Sequence, residues 1–226
     1  MRLFWMTLLL VSVSACVYHG KEPFDDRFSA LPQEAFDSLG GPFRAYVLSA
    51  RYEDGKNMAV VFVQDGSVHT GDTIELVGYG FQNQKRVISG LGAEGYKVDS
   101  VKAGDVEIFW FDEDRDSKLV KGMTFAKTGT IGSFSVFEAV IHMLEKEEGG
   151  RHTPFFNSFR PDFYLNGTDV NGKVLLQPGY DMVMPCDICQ LTVTLDQPVA
   201  LRKGTHFVLR EKGHMIGTGY VHTLIH

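Results

Sequence analysis

The strongest constraint in this sequence is alternation. In "CQLTVTL" the apolar side chains Cys189, Leu191, Val193 and Leu195 are separated by Gln190, Thr192 and Thr194. Successive side chains of a strand point to opposite faces, so this spacing predicts a strand with one buried and one wet face. The same grammar runs from Phe43 to the end of the chain. "YVLSARY", "MAVVFVQDG", "VISG", "YKVDSV" and "VEIFWF" form one block of β-rich runs. "FSVFEAVIHML", "DFYL", "GKVLL", "HFVLR" and "MIGTGYVHTLI" form another. Turn signals separate the runs, among them Thr70-Gly71-Asp72 and Ala103-Gly104-Asp105, and the 24 glycines suit many tight connections. Short strands at this spacing predict an all-β chain, and closing each sheet into a barrel removes its sticky edges. The expectation is two closed β-barrels in tandem, residues 43–131 and 132–226, joined near Gly129 to Ser133. No internal repeat is visible.

The first 42 residues read differently. "MRLFWMTLLLVSVSAC" has one basic residue, Arg2, followed by an apolar run too short to span a bilayer. It has the form of a secretory signal segment. Its end, Val13-Ser14-Ala15-Cys16, resembles the lipobox of bacterial lipoproteins, where cleavage precedes a lipidated cysteine. Ordinary cleavage after Ala15 and no export at all are the competing outcomes; lipidation at Cys16 is the reading adopted, with the protein in the cell envelope. Residues 17–42, punctuated by Pro23, Pro32, Gly40, Gly41 and Pro42, read as a tether. A short helix in "PQEAFDSL" would begin at Pro32.

Candidate chemistry is sparse. "DEDRDS" places Asp112, Asp114 and Asp116 at alternate positions. A calcium loop would need glycine and glutamate where Ser117 and Met123 stand, so a solvated hairpin tip is expected. The eight histidines form no H-E-x-x-H, no serine or cysteine lies in G-x-S-x-G, and no phosphate loop of the form G-x-x-x-x-G-K-[ST] occurs. No catalytic, cofactor or metal residues are therefore expected. Cys186 and Cys189 form "CDIC"; residues three apart in a strand are separated by about 10 Å, beyond disulfide reach. A turn at Cys186 would permit pairing, but Cys189 reads as a small buried hydrophobe. Asn166-Gly167-Thr168 fits the N-glycosylation pattern. The net charge of −6 weighs against an autonomous nucleic-acid binder.

Three long stretches carry a resemblance. "KEEGGRHTPFFNSFRPDFYLNGTDVNG", "DMVMPCDICQLTVTLDQPVAL" and "KGTHFVLREKGHMIGTGYV" resemble the third domain of translation elongation factor Tu. The last includes its R-E-x-G-x-x-x-G-x-G pattern at Arg210, Glu211, Gly213, Gly217 and Gly219; Cys186 stands where the family has glycine. "QDGSVHTGDTIELVG", Ala103 to Asp105 and "KGMTFAKTGTI" are similar, less closely, to the family's second domain. Both family domains are β-barrels. Nothing in this sequence resembles the family's first domain, the GTPase, so the resemblance implies no GTP binding and no enzyme here. Gly55-Lys56-Asn57-Met58 replaces the family's G-R-G-T, and Phe134 replaces a family histidine, so the aminoacyl pocket is not implied. The third domain's contacts with the tRNA T-stem fall on Asn171, Gly172, Lys173, Lys212, Gly213 and His214. Arg151 and His152 occupy a family turn near the junction with the GTPase domain; they are expected to orient that loop by pairing with carboxylates.

These readings predict a non-catalytic binding or interaction module, lipid-anchored, whose partner is a protein or envelope component. The competing reading is a cytosolic elongation-factor-like module that contacts aminoacyl-tRNA.

Overall fold

The computed structural model describes residues 41–53, 55–79, 81–93, 95–112 and 119–225. Cys16, the signal-like segment, the tether up to residue 40 and the acidic tip 113–118 lie outside the described residues. Among the described residues there is no α-helix.

The N-terminal block contains β1 (Arg44–Glu53), β2 (Lys56–Asp65), β3 (Ser67–His69), β4 (Thr73–Gly78), β5 (Phe81–Val87), β6 (Gly90–Ala93), β7 (Tyr96–Val98), β8 (Ser100–Lys102), β9 (Val106–Phe111) and β10 (Thr124–Ala126). Eight of them form one antiparallel sheet in the order β5-β4-β10-β1-β2-β9-β6-β7, while β3 and β8 pair separately. The sheet curls around Phe109, which contacts the rings of Phe43 and Phe125 at centroid separations of 6.2 and 6.0 Å. The turns at Gly71 and Gly104 both take positive φ. In each turn an aspartate accepts a backbone N–H three residues before it, Asp72 from His69 and Asp105 from Lys102.

The C-terminal block contains β11 (Gly132–Met143), β12 (Phe155–Phe156), β13 (Asp162–Leu165), β14 (Thr168–Leu176), β15 (Met182–Val183), β16 (Ile188–Leu201), β17 (His206–Glu211) and β18 (His214–Leu224). Six of them close into a barrel, β11-β16-β14-β13-β17-β18, with β12 and β15 paired outside it. The alternation in β16 is realised as read, with Cys189, Leu191, Val193 and Leu195 buried. Phe207 sits edge-on to Phe137 and Phe163 at 6.0 and 5.5 Å in the barrel centre.

The expectation of two barrels is met in part. Among the described residues one six-stranded sheet closes into a barrel, and the N-terminal sheet curls into a half-barrel. The outermost strands of the open sheet show how it tolerates its edges. The strand β5 reads "FQNQKRV", rich in polar and charged residues, and β7 is three residues long with Lys97 at its centre. Charge and brevity both disfavour further strand pairing.

The sheet and the barrel meet through a buried ion cluster. Period-2 alternation along β2 turns Ala59, Val61 and Val63 inward and delivers Asp65 to the same side. Asp65 is only 2% exposed at its side chain; its Oδ2 receives Arg44 Nη2 at 2.6 Å and Arg44 Nε at 2.9 Å. Arg202, from the loop between β16 and β17, brings Nη2 to the same oxygen at 3.4 Å. Two further contacts fix the junction. The Tyr79 N–H donates to the Pro198 carbonyl at 2.8 Å. A Cβ at Gly122 would lie 2.3 Å from Thr168 Cγ2 and 2.5 Å from the Tyr79 hydroxyl, so the backbone needs glycine there.

Removing the carboxylate leaves a buried guanidinium without its counter-charge. Asp65→Ala is expected to destabilise the protein by about 3–5 kcal/mol in urea unfolding. A loss below about 1 kcal/mol contradicts the cluster's structural role.

Candidate interaction surface

Strand direction divides the barrel into two ends. Adjacent strands are antiparallel throughout. Gly132, Leu201, Thr168, Leu165 and His206 therefore gather at the end that meets the open sheet. Met143, Ile188, Leu176, Asp162, Glu211 and His214 gather at the far end.

The far end is rich in exposed apolar side chains. Phe156, Leu175, Tyr180, Met182, Met184, Ile188 and Met215 are each between 41% and 55% exposed. The small sheet of β12 and β15 puts Phe156 opposite Met182. In "DMVMP" the alternation turns Val183 into the core and leaves Met182 and Met184 outside. Asp187 holds the following bend by accepting the Met184 N–H at 2.7 Å. Cys186 takes φ 73 in that bend and is not joined to Cys189, which is a free, buried thiol. Burial, and secondarily the Asp187 charge, pushes the Cys189 thiol up to about 12.

The stretch from Lys146 to Phe156 frames this end. Lys146–Glu148 form one 3-10 turn, and the Glu148 carboxylate accepts the Glu145 N–H at 3.1 Å. Gly149 closes the turn at φ 88. A Cβ on Gly150 would lie 2.2 Å from the Leu144 carbonyl oxygen, which explains the second glycine. Arg151 then ties the loop down. Its Nη1 pairs with Glu211 on β17, and its Nε donates to the Thr153 carbonyl at 3.2 Å. Its guanidinium lies 4.9 Å from the Phe159 ring centroid, and Phe159 stacks on Phe155. His152 does not share this role. It is exposed, and of the two residues only Arg151 has a carboxylate partner among the described residues.

The six residues matched to T-stem contacts are placed as follows. Lys212 and Gly213, at φ 52 and 81, form the tight turn between β17 and β18, with His214 starting β18. Asn171, Gly172 and Lys173 are not in a loop; they lie inside β14, with Gly172 buried and its neighbours exposed. Asn171 stands opposite Asp162, and Asp162 opposite Arg210. Arg210 pairs with Asp169 at 3.2 Å and Arg160 with Asp196 at 2.6 Å. Carboxylates thus interleave with cations on this wall, which is not the continuous positive stripe that phosphates attract. Asn166 is buried and donates its Nδ2 to the Ala200 carbonyl at 2.9 Å, so it is occupied in structure rather than displayed as a glycan acceptor. Among the described residues no group of three His, Cys, Asp or Glu side chains converges to hold a metal ion.

Sequence reading missed the apolar end and the Arg44–Asp65–Arg202 cluster. The signals were present: "DMVMP" alternates, and Asp65 continues the inward set Val61, Val63.

Two outcomes follow from this geometry. Arg151→Ala should lower the melting temperature by the equivalent of about 1–2 kcal/mol, since a half-buried charged hydrogen bond and a ring contact are lost; an unchanged melting curve contradicts the anchoring role. Cys189 at pH 8 should react with iodoacetamide about a thousandfold more slowly than a thiol of ordinary pKa, because its thiolate fraction falls in proportion. Mass spectrometry of native and denatured protein distinguishes the two.

Residues 130–225 match the family described as the elongation factor Tu C-terminal domain. The matched span contains the whole closed barrel, from β11 to β18. This part of the chain is a translation-factor-like β-barrel module.

Proposed function

We propose that this chain is a non-catalytic binding module that presents the far end of its C-terminal barrel to a protein partner. One observation carries the proposal: seven large apolar side chains stand exposed on a single end of a closed barrel. Exposed apolar patches of this kind mark interaction sites. Three methionines belong to the group, and flexible, polarisable methionine suits a contact surface that must adapt to its partner. Arg151 and the small β12–β15 sheet hold the patch in shape, so little ordering entropy opposes binding.

The reading adopted for location is export and lipid anchoring at Cys16. It is supported by the apolar N-terminal run and by Val13-Ser14-Ala15-Cys16. The partner is then an envelope protein. The match of residues 130–225 to the elongation factor Tu C-terminal domain favours a second reading, a cytosolic module that contacts aminoacyl-tRNA. Interleaved carboxylates around Lys173 and Lys212 weigh against it.

The test places a photo-crosslinking amino acid at Met184 in the native host, with a second variant at the exposed Asp169 on the barrel wall. A discrete protein adduct from position 184 and none from position 169 is expected. Equal labelling at both positions, or none above background, contradicts the proposal. Intact mass of the same material separates the locations: a chain beginning at diacylated Cys16 supports the envelope, and an unprocessed soluble chain with low-salt affinity for aminoacyl-tRNA supports the alternative.

A further inference from the structure

The apolar end of the barrel has a charged surround, and the sign of that charge selects among partners. In "DMVMPCDI" the aspartates Asp181 and Asp187 bracket the exposed Met182 and Met184. Across the small sheet of β12 and β15, Phe156 stands opposite Met182. The loop that leads into β12 contains the 3-10 turn Lys146–Glu148, in which Glu147 and Glu148 are both exposed. Ile188 follows Asp187 directly and is 42% exposed. Carboxylates therefore alternate along the chain with the side chains of the patch itself.

The loops of this end are acidic on balance. They carry the carboxylates Glu145, Glu147, Glu148, Asp181 and Asp187 against the lysines Lys146 and Lys212. Their two arginines are already held by carboxylates, Arg151 by Glu211 and Arg160 by Asp196. Glu148 and Asp187 also accept backbone N–H groups and so shape their turns, at 3.1 and 2.7 Å. Glu147 and Asp181 stand exposed and leave negative charge at the surface. Such a rim repels anionic surfaces, which disfavours phosphate backbones and acidic lipid headgroups. It also disfavours a second copy of this end, which would set like charges face to face.

We infer that this end binds a basic amphipathic segment of its protein partner, a stretch with apolar side chains on one face and lysine or arginine beside them. The inference rests on the binding-module reading above and gives that module's partner a chemistry. The apolar face lies on Met182, Met184, Phe156 and Ile188. The flanking cations meet Asp181 and Asp187 on one side and Glu147 and Glu148 on the other. Apolar contact supplies affinity, and the charges set orientation and exclude acidic competitors. Exposed methionines suit this task, since their unbranched side chains repack against apolar faces of different shape.

The test is fluorescence anisotropy of the full-length protein with two labelled peptides of about 18 residues, both with leucine at helical amphipathic spacing. One carries lysine at every polar position and the other glutamate. The leucine–lysine peptide is expected to bind with a Kd below about 10 μM, and the leucine–glutamate peptide at least about tenfold more weakly. Charge reversal at two exposed positions, Glu147→Lys with Asp181→Lys, should weaken the basic peptide at least about tenfold and tighten the acidic one. Met182→Ser with Met184→Ser should weaken both, while Asp99→Lys on the distant open sheet changes neither. Equal binding of the two peptides overturns the charge selection and leaves the apolar binding module standing. Binding of neither peptide, with a protein adduct still formed at position 184, overturns the basic partner alone; with no adduct, both readings fall. Tighter binding to vesicles of anionic phosphatidylglycerol, or pairing of two chains through this end in sedimentation, also overturns the inference.

Discussion

The arrangement of this molecule depends on one buried carboxylate. Asp65 ends β2 on the inward side of the open sheet and accepts Arg44 from β1 and Arg202 from the barrel loop. The first pairing locks the edge of the sheet's core; the second reaches across the junction. A shared carboxylate is stringent about geometry, because Arg44 is buried with it and Arg202, still partly exposed, needs the same oxygen. Tyr79 with Pro198 and the close approach at Gly122 then leave little room for the two units to slide. With one barrel end engaged in this way, the exposed apolar side chains lie at the opposite end.

Much of the fold was legible in the sequence because one face of nearly every strand is buried. Period-2 runs such as Cys189 to Leu195 state both the element and its inward residues, and Gly71 and Gly104 mark turns where only positive φ fits. Closure was not legible. Whether the edge strands β5 and β7 meet depends on how far the strands between them in the sheet curl and on the charge at each edge, so the two blocks looked alike in sequence although their described sheets differ.

The candidate site was legible only in its framing. "EEGGRHTPF" announced a turn, and the structure gives the reasons for four of its residues: a backbone capping bond to Glu148, a left-handed Gly149, a Gly150 pressed on Leu144, and Arg151 pairing with Glu211. His152 reads as equivalent to Arg151 in sequence but points its role nowhere comparable in space. The apolar end escaped notice because its residues come from separate segments, 156, 175, 180–188 and 215, each ordinary alone. Only barrel closure brings them to one end. Likewise "GKVLL" reads as a strand, and β14 extends it back through Asn171 to Thr168, which places Asn171 in the wall.

The central claim is that the far end of the barrel is covered by a partner in the cell. Methionine oxidation reads this directly, because Met182, Met184 and Met215 are exposed in the isolated protein while Met58, Met123 and Met143 are buried. Rates of sulfoxide formation would be compared between purified protein and protein oxidised inside intact host cells, using the buried methionines as the internal reference. The account predicts that the three exposed methionines are oxidised markedly more slowly in cells relative to that reference. Identical relative rates in the two settings would mean that nothing covers this surface, and the binding-module account would be wrong.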